Sequence, residues 1–163
     1  MEAVKKNLSY LIIDKGCLVN SIYHYPVNMT FFSTSDRLEI GDVPFISHGI
    51  KPTGREALEY YRRVKAAWNL NVNLYEKVTS IEKQESAFSV NTEKDSYICS
   101  NLVIATGFFD FENRMNIPGE ELPKVKHYYD EPHPYVEQRI AIVGGGKILL
   151  LMLRFKRSAG VRM

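Results

Sequence analysis

Residues 102–107 read Leu-Val-Ile-Ala-Thr-Gly, an almost uninterrupted apolar run that ends in glycine. Such a run is typical of a parallel strand that is buried on both faces. Two other stretches have the same character: residues 10–14 end in Asp14, and residues 140–143 lead into the glycine-rich turn 144–146. These three predicted strands, separated by helical and polar segments, indicate an α/β fold with a parallel sheet.

The segments between these strands predict one helix and a small antiparallel meander. Pro52 is followed by Thr53-Gly54-Arg55-Glu56, the S/T-x-x-E pattern of a capping box. Apolar residues then recur at helical spacing at Ala57, Tyr61, Val64 and Trp68. Short alternating runs within residues 72–99 predict the strands of the meander.

Residues 20–50 predict an aromatic loop, since rings recur there among small polar residues. So much ring area has to pack against something. One interpretation is a loop that folds over the core of its own domain. The other is a lid over a flat aromatic ligand, because apolar walls with a few polar anchors are typical of ligand pockets.

Composition and charge exclude several classes of protein. The 163 residues carry 21 Lys and Arg against 19 Asp and Glu, a formal net charge of +2. Five basic residues and no acid lie in residues 147–163, which leaves residues 1–146 at a net charge of −3. An acidic body argues against a nucleic-acid-binding protein, which usually has a basic face.

The cysteines and the hydropathy give no sign of a metal site, secretion or a membrane. Cys17 and Cys99 lie 82 residues apart and form neither a zinc knuckle nor a C-x-x-C redox pair. No apolar run approaches the ~20 residues of a membrane span. The first ten residues do not resemble a signal peptide. We therefore expect a cytoplasmic protein.

Three short motifs are compatible with nucleotide chemistry, and each has a simpler explanation. An acid at the end of a strand, such as Asp14, can accept hydrogen bonds from a ribose, but it is more often a turn residue. Thr106-Gly107 allows close approach of a ligand, or marks a plain turn. Gly144-Gly145-Gly146 can present N–H groups to a pyrophosphate, although Leu149 occupies the position of the third small residue in G-x-G-x-x-G/A.

The order of these motifs along the chain matches a flavoprotein reductase with two dinucleotide-binding domains. In that architecture the first domain binds FAD. The second domain, which binds NAD(P)H, is inserted after the Ala-Thr-Gly strand.

Four stretches closely resemble the YpdA-type bacillithiol disulfide reductases, which are thioredoxin-reductase-like flavoproteins. They are residues 20–26 (Asn-Ser-Ile-Tyr-His-Tyr-Pro), 30–35, 38–42 and 116–123. The resemblance extends from residue 1 to about residue 146. It implies an enzyme that passes hydride from NADPH to FAD and then reduces a small-molecule thiol disulfide, with oligomerisation possible. A fragment of a flavin-dependent monooxygenase and a non-catalytic remnant are the alternatives.

The resemblance also implies which residues contact the cofactors. Asp14 would bind the adenosine ribose of FAD with Lys15 beside it, and Val78 would contact the adenine through its backbone. The other implied contacts lie in turns and loops: Asn20, Ser21 and Tyr23 along the flavin, Thr106 and Gly107 closing over the cofactor, and Gly144 and Gly146 at the NADPH pyrophosphate. No catalytic residue and no metal ligand is implied, and Cys17 and Cys99 match no catalytic position of the family.

The resemblance implies a division into residues 1–118 as an incomplete FAD-binding domain, 119–138 as a linker and 139–163 as the start of an NAD(P)-binding domain. The first strand of the family and its G-x-G-x-x-G turn are missing, so we expect FAD and NADPH binding to be impaired and the chain to be inactive. From residue 148 the similarity ends. One deleted base in codons for the expected Lys-Asn-Ser-Ala-Val-Asp-Ala-Ala gives Lys-Ile-Leu-Leu-Leu-Met-Leu, so we interpret residues 148–163 as a frameshifted tail rather than a short amphipathic anchor.

Overall fold

The computed structural model describes residues 1–107 and 109–143, which form three short helices, one longer helix and two small sheets. The glycine-rich turn at 144–146 and the tail from residue 148 lie outside the described residues. The helices are α1 (Glu2–Lys5), α2 (Asn20–Tyr23), α3 (Ser35–Leu38) and α4 (Gly54–Ala67), with a 3-10 turn at His133–Tyr135. The strands are β1 (Ile12–Ile13), β2 (Val72–Asn73), β3 (Val78–Lys83), β4 (Phe88–Thr92) and β5 (Ser96–Cys99).

Helix α4 begins with the predicted capping box. Thr53 N donates to Glu56 Oε2 at 2.7 Å, and Glu56 N donates to Thr53 Oγ1 at 3.3 Å. These two bonds satisfy backbone donors that have no partner within the first turn of a helix. The helix ends at Ala67, with Trp68 as its C-cap, so the predicted helix is confirmed.

The core forms on one face of α4. Ala57 and Val64 are buried as the apolar stripe predicted, but the fully buried ring is Tyr60 rather than Tyr61. Tyr60 lies three residues after Ala57 and four before Val64, which places it on the same face of the helix. Its ring stacks on Phe45 with centroids 4.2 Å apart.

The aromatic loop also contributes to this core. Phe45 is buried, Phe31 packs against the core, and the chain forms single helical turns at α2 and α3 where the sequence predicted only loop. For these rings the structure supports the interpretation of a loop that folds over its own domain.

Strand β1 pairs in parallel with β2, with Ile12 opposite Val72 and Ile13 opposite Asn73. The parallel strand predicted at residues 10–14 is therefore confirmed in direction, but it is shorter. It is also not buried on both faces, since Ile12 is 43% exposed. In the described residues β1 has a neighbour on one edge alone, and a two-stranded sheet cannot enclose its own side chains.

The predicted strands at residues 102–107 and 140–143 are wrong for this structure. Neither segment has regular secondary structure, and Val103 and Val143 are 88% and 72% exposed. A strand is defined by its ladder of hydrogen bonds to a neighbour. Within residues 1–107 and 109–143, neither segment has a ladder partner, so apolar composition alone does not make it a strand.

The antiparallel meander is confirmed in the order β3-β4-β5. Its register shifts between Val78 and Ser80, and Val90 in the central strand is its buried residue.

No helix of the described part is long and apolar enough to cross a membrane.

Candidate functional site

The turn after β1 is shaped by the carboxylate of Asp14. Asp14 Oδ1 accepts a hydrogen bond from Gly16 N at 2.8 Å, which closes a local side-chain-to-backbone turn. A Cβ at Gly16 would lie 2.2 Å from Asn20 Oδ1, so a larger residue there would displace the Asn20 side chain. Among the described residues nothing bonds to Asp14 Oδ2, so this oxygen is available to a hydroxyl group of a ligand.

Backbone hydrogen bonds fix the same turn from outside. Asp14 N donates to Asn73 O at 2.9 Å, which extends the pairing of β1 with β2. Glu76 N donates to Asp14 O at 2.9 Å, and Tyr75 N donates to Gly16 O at 3.0 Å. The segment from Asn73 to Glu76 therefore holds the main chain on both sides of Asp14.

The residues expected along the flavin lie on the single turn α2. The side-chain oxygen of Asn20 already has a nearby partner, since it accepts a hydrogen bond from Cys17 Sγ at 3.6 Å. Ser21 is half-buried beside it. Tyr23 is 61% exposed, with its ring edge-on to His24, so its phenol is accessible to a planar group.

Lys15 forms an ion pair with Asp110 at 2.5 Å. The neighbouring Phe109 packs edge-on against Tyr25 at 4.9 Å and lies 5.4 Å from Tyr128. Tyr128 also donates its hydroxyl to Phe109 O at 2.8 Å. Residues 109 and 110 are therefore held beside the turn that follows β1. The Lys15 ammonium is paired with a carboxylate of the protein itself.

The remaining predicted contacts are exposed. Thr106 and Gly107 lie on the surface, and Gly107 adopts φ +68° with no atom within 4 Å of the position of a Cβ. That backbone conformation favours glycine even though there is room for a Cβ. Val78 begins β3 opposite Thr92 and is partly exposed. Gly144 and Gly146 lie outside the described residues.

Glu76 is a buried carboxylate that the sequence reasoning missed. Its residue is 3% exposed, and Oε1 accepts from Thr92 Oγ1 at 2.7 Å and from Tyr97 OH at 2.8 Å. These hydroxyl groups, of which Thr92 has the larger effect, favour the ionised form and hold the pKa of Glu76 below its usual value. In sequence it stands between Tyr75 and Lys77, a context with no signal that distinguishes it from a solvated turn residue.

The features of the Asp14 turn and its surroundings suit the binding of a nucleotide. In residues 1–107 and 109–143 no group of three or more His, Cys, Asp or Glu side chains could hold a metal ion. What the site offers is a carboxylate oxygen at the end of a parallel strand, an accessible aromatic ring and an exposed turn with glycine. These features are compatible with an α/β protein of the dinucleotide-binding class.

The chain belongs to the pyridine nucleotide-disulphide oxidoreductase family, whose sequence profile matches residues 1–147. It is 48% identical over 136 residues to the bacilliredoxin reductase Bdr of Bacillus subtilis (strain 168), a match that covers 83% of this chain and 42% of the relative. The chain thus spans less than half the length of that protein.

Solved structures support the same family and the predicted partial Rossmann-like fold. The bacillithiol disulfide reductase Bdr (YpdA) from Staphylococcus aureus superposes with a TM-score of 0.94 at 43% identity, over 99% of this chain and 50% of that one. A flavin monooxygenase from Stenotrophomonas maltophilia reaches a TM-score of 0.84 at 21% identity, over 97% of this chain and 50% of its own. The second likeness shows a shared fold alone.

The domain boundaries and the role of each candidate residue stay predictions. The structure brings Asp14, Lys15, Asn20 and Ser21 into one short segment, and it connects Lys15 to the region that follows Gly107. It gives no direct hydrogen bond between Val78 and that segment.

Proposed function

We propose that this chain forms part of the FAD site of an NADPH-dependent flavoprotein that reduces a low-molecular-weight thiol disulfide, namely bacillithiol disulfide. The observation that carries the proposal is the Asp14 turn. One carboxylate oxygen shapes the turn; the other has no partner among residues 1–107 and 109–143 and would accept a ribose hydroxyl. The 48% identity to Bdr of Bacillus subtilis supports the assignment of the substrate class.

The described residues fit the adenosine end of FAD. Asp14 Oδ2 would accept from the ribose, and the backbone at Val78 would contact the adenine. Lys15 would act indirectly, because its ammonium is paired with Asp110 and holds the segment after Gly107 beside the turn. Tyr23 would face the flavin portion, together with Asn20 and Ser21. Thr106 and Gly107 would close over the cofactor.

When bound, FAD supplies the chemistry of this class: it accepts hydride from NADPH and passes electrons to the disulfide. Asp14, Lys15, Asn20, Ser21 and Tyr23 would bind and orient the cofactor. The NADPH contact would fall to Gly144 and Gly146.

Two alternatives are less well supported. A monooxygenase shares the fold at 21% identity, a level that carries no activity across. A non-catalytic remnant would share the fold and the Asp14 turn, and turnover of NADPH with bacillithiol disulfide distinguishes it from an enzyme.

The test uses isothermal titration calorimetry of the chain with ADP, the part of FAD proposed to contact Asp14. Because the sequence predicts impaired FAD binding, we expect the affinity for ADP to be weak but measurable. Asp14→Ala should weaken binding about ten- to a hundredfold, the equivalent of one hydrogen bond to a charged acceptor, ~1.5–3 kcal/mol. Asp36→Ala, which removes an exposed aspartate on α3, serves as the matched control and should bind as the parent chain does. Equal affinity in the two variants would remove Asp14 from the site.

A further inference from the structure

We infer that Glu76 is a positioning residue that fixes the Asp14 turn relative to the meander and so sets the ribose contact. The inference rests on the proposed function for its ligand, and the geometry that carries it is observed in this chain. Glu76 contacts both the Asp14 turn and the meander. Its backbone bonds to Asp14, and its side chain bonds to the meander.

The two sheets are separate. The pair β1-β2 and the meander β3-β4-β5 share no ladder of backbone hydrogen bonds in the described residues. Residues 74–77 join β2 to β3, and backbone bonds tie this connection to Asp14, Gly16 and Glu93. Side-chain bonds add to these contacts in setting the relative position of the two sheets. Asp14 lies at the end of β1, whereas Val78 begins β3, so a ligand that contacts both needs the two sheets held at a fixed distance.

A network of side-chain hydrogen bonds joins the two sheets. Glu76 Oε1 accepts from Thr92 Oγ1 on β4 and from Tyr97 OH on β5. Tyr97 OH in turn accepts from Asn73 Nδ2 on β2 at 3.0 Å. Since Asn73 O and Glu76 N both bond to Asp14, the two ends of the network meet at the residue proposed to bind ribose.

The burial of Glu76 strengthens this network. Glu76 is 3% exposed, so its bonds to Thr92 and Tyr97 are shielded from competing water. A buried carboxylate without donors would be strongly disfavoured, and the two hydroxyl groups remove that penalty only in one arrangement of the sheets. Glu76 thereby selects a single position for the turn.

The experiment measures amide hydrogen exchange by NMR in the 163-residue chain. Glu76→Ala should speed exchange at Gly16, whose N–H bonds to Asp14 Oδ1, by about tenfold. Amides in the middle of α4, such as that of Val64, should keep their rates. Glu76→Gln should restore most of the protection, because its amide oxygen can accept the same two hydroxyl bonds. Glu82→Ala, an exposed glutamate in the same meander, is the matched control and should change neither rate.

A uniform acceleration across Gly16 and α4 would show that Glu76 acts through global stability and would overturn the inference, as would unchanged exchange at Gly16. If Glu76→Ala does not fold, Tyr97→Phe decides in its place. It removes the hydroxyl between Asn73 and Glu76 and should speed exchange at Gly16 in the same direction.

ADP titration separates this inference from the proposed function. Loss of affinity in Glu76→Ala, restored in Glu76→Gln, supports both. Binding of ADP by the parent chain with equal affinity in Glu76→Ala would overturn the positioning role and leave the proposed site standing. Failure of the parent chain to bind ADP would overturn the nucleotide site itself, while exchange at Gly16 would still decide whether Glu76 fixes the turn.

Discussion

Glu56 joins the start of helix α4 to the preceding loop through a single carboxylate, and its removal gives a quantitative prediction. Oε2 accepts from Thr53 N at 2.7 Å and from Thr53 Oγ1 at 2.8 Å. Oε1 accepts from His48 N at 2.8 Å and lies 3.0 Å from His48 Nδ1. These contacts lower the pKa of Glu56 from 4.5 to about 2, and the bond from the Thr53 backbone has the largest effect.

The magnitude follows from linkage between protonation and folding. A pKa of 4.5 in the unfolded chain and about 2 in the folded chain corresponds to roughly 3 kcal/mol. The Glu56 side chain is 19% exposed, and screening by solvent reduces the contribution to about 2 kcal/mol. Because the folded pKa is depressed, this stability is fully present above pH 4.5 and is lost as the pH falls towards 2.

Urea unfolding followed by circular dichroism tests the prediction at pH 7 and pH 3. Glu56→Gln should lower the free energy of unfolding by about 2 kcal/mol at pH 7, and it should remove this contribution to acid sensitivity. Glu59→Gln, an exposed glutamate on the same helix that pairs with Arg63, is the matched control, and a change below about 0.5 kcal/mol is expected. The reasoning fails if Glu56→Gln costs no more than Glu59→Gln, or if it loses stability in acid as steeply as the parent chain.

Two further substitutions test other parts of the structure. Tyr60→Phe removes a buried hydroxyl that accepts from Ile40 N at 2.7 Å and donates to Val43 O at 3.0 Å, so it should cost about 1–3 kcal/mol in urea unfolding; a cost below that of Tyr61→Phe would contradict this. Lys15→Met breaks a partly exposed ion pair with Asp110 and should change the free energy of unfolding by less than about 1 kcal/mol; a larger loss would show that the pair stabilises the whole fold.

Local sequence signals were sufficient for the elements whose stabilising contacts lie close together in the chain. The capping box from Thr53 to Glu56 is formed within four residues, so the sequence predicted where α4 begins. The meander was predicted for the same reason, since its strands pair with their neighbours in sequence through short turns. The likeness of residues 20–26 and 116–123 to the reductase family also came from sequence alone, and the match over residues 1–147 confirms it.

Tertiary structure alone decided the features that depend on distant partners. Residues 102–107 have the composition of a buried strand, but a strand exists only where a neighbour completes its hydrogen bonds, and none does so in the described residues. Apolar spacing predicted Tyr61 on the buried face, but the structure buries Tyr60, because Phe45 stacks on it from another segment. The roles of Glu76 and Asp110 were likewise hidden, since a carboxylate in a polar stretch is ordinary until the fold places Thr92 and Tyr97, or Lys15, beside it.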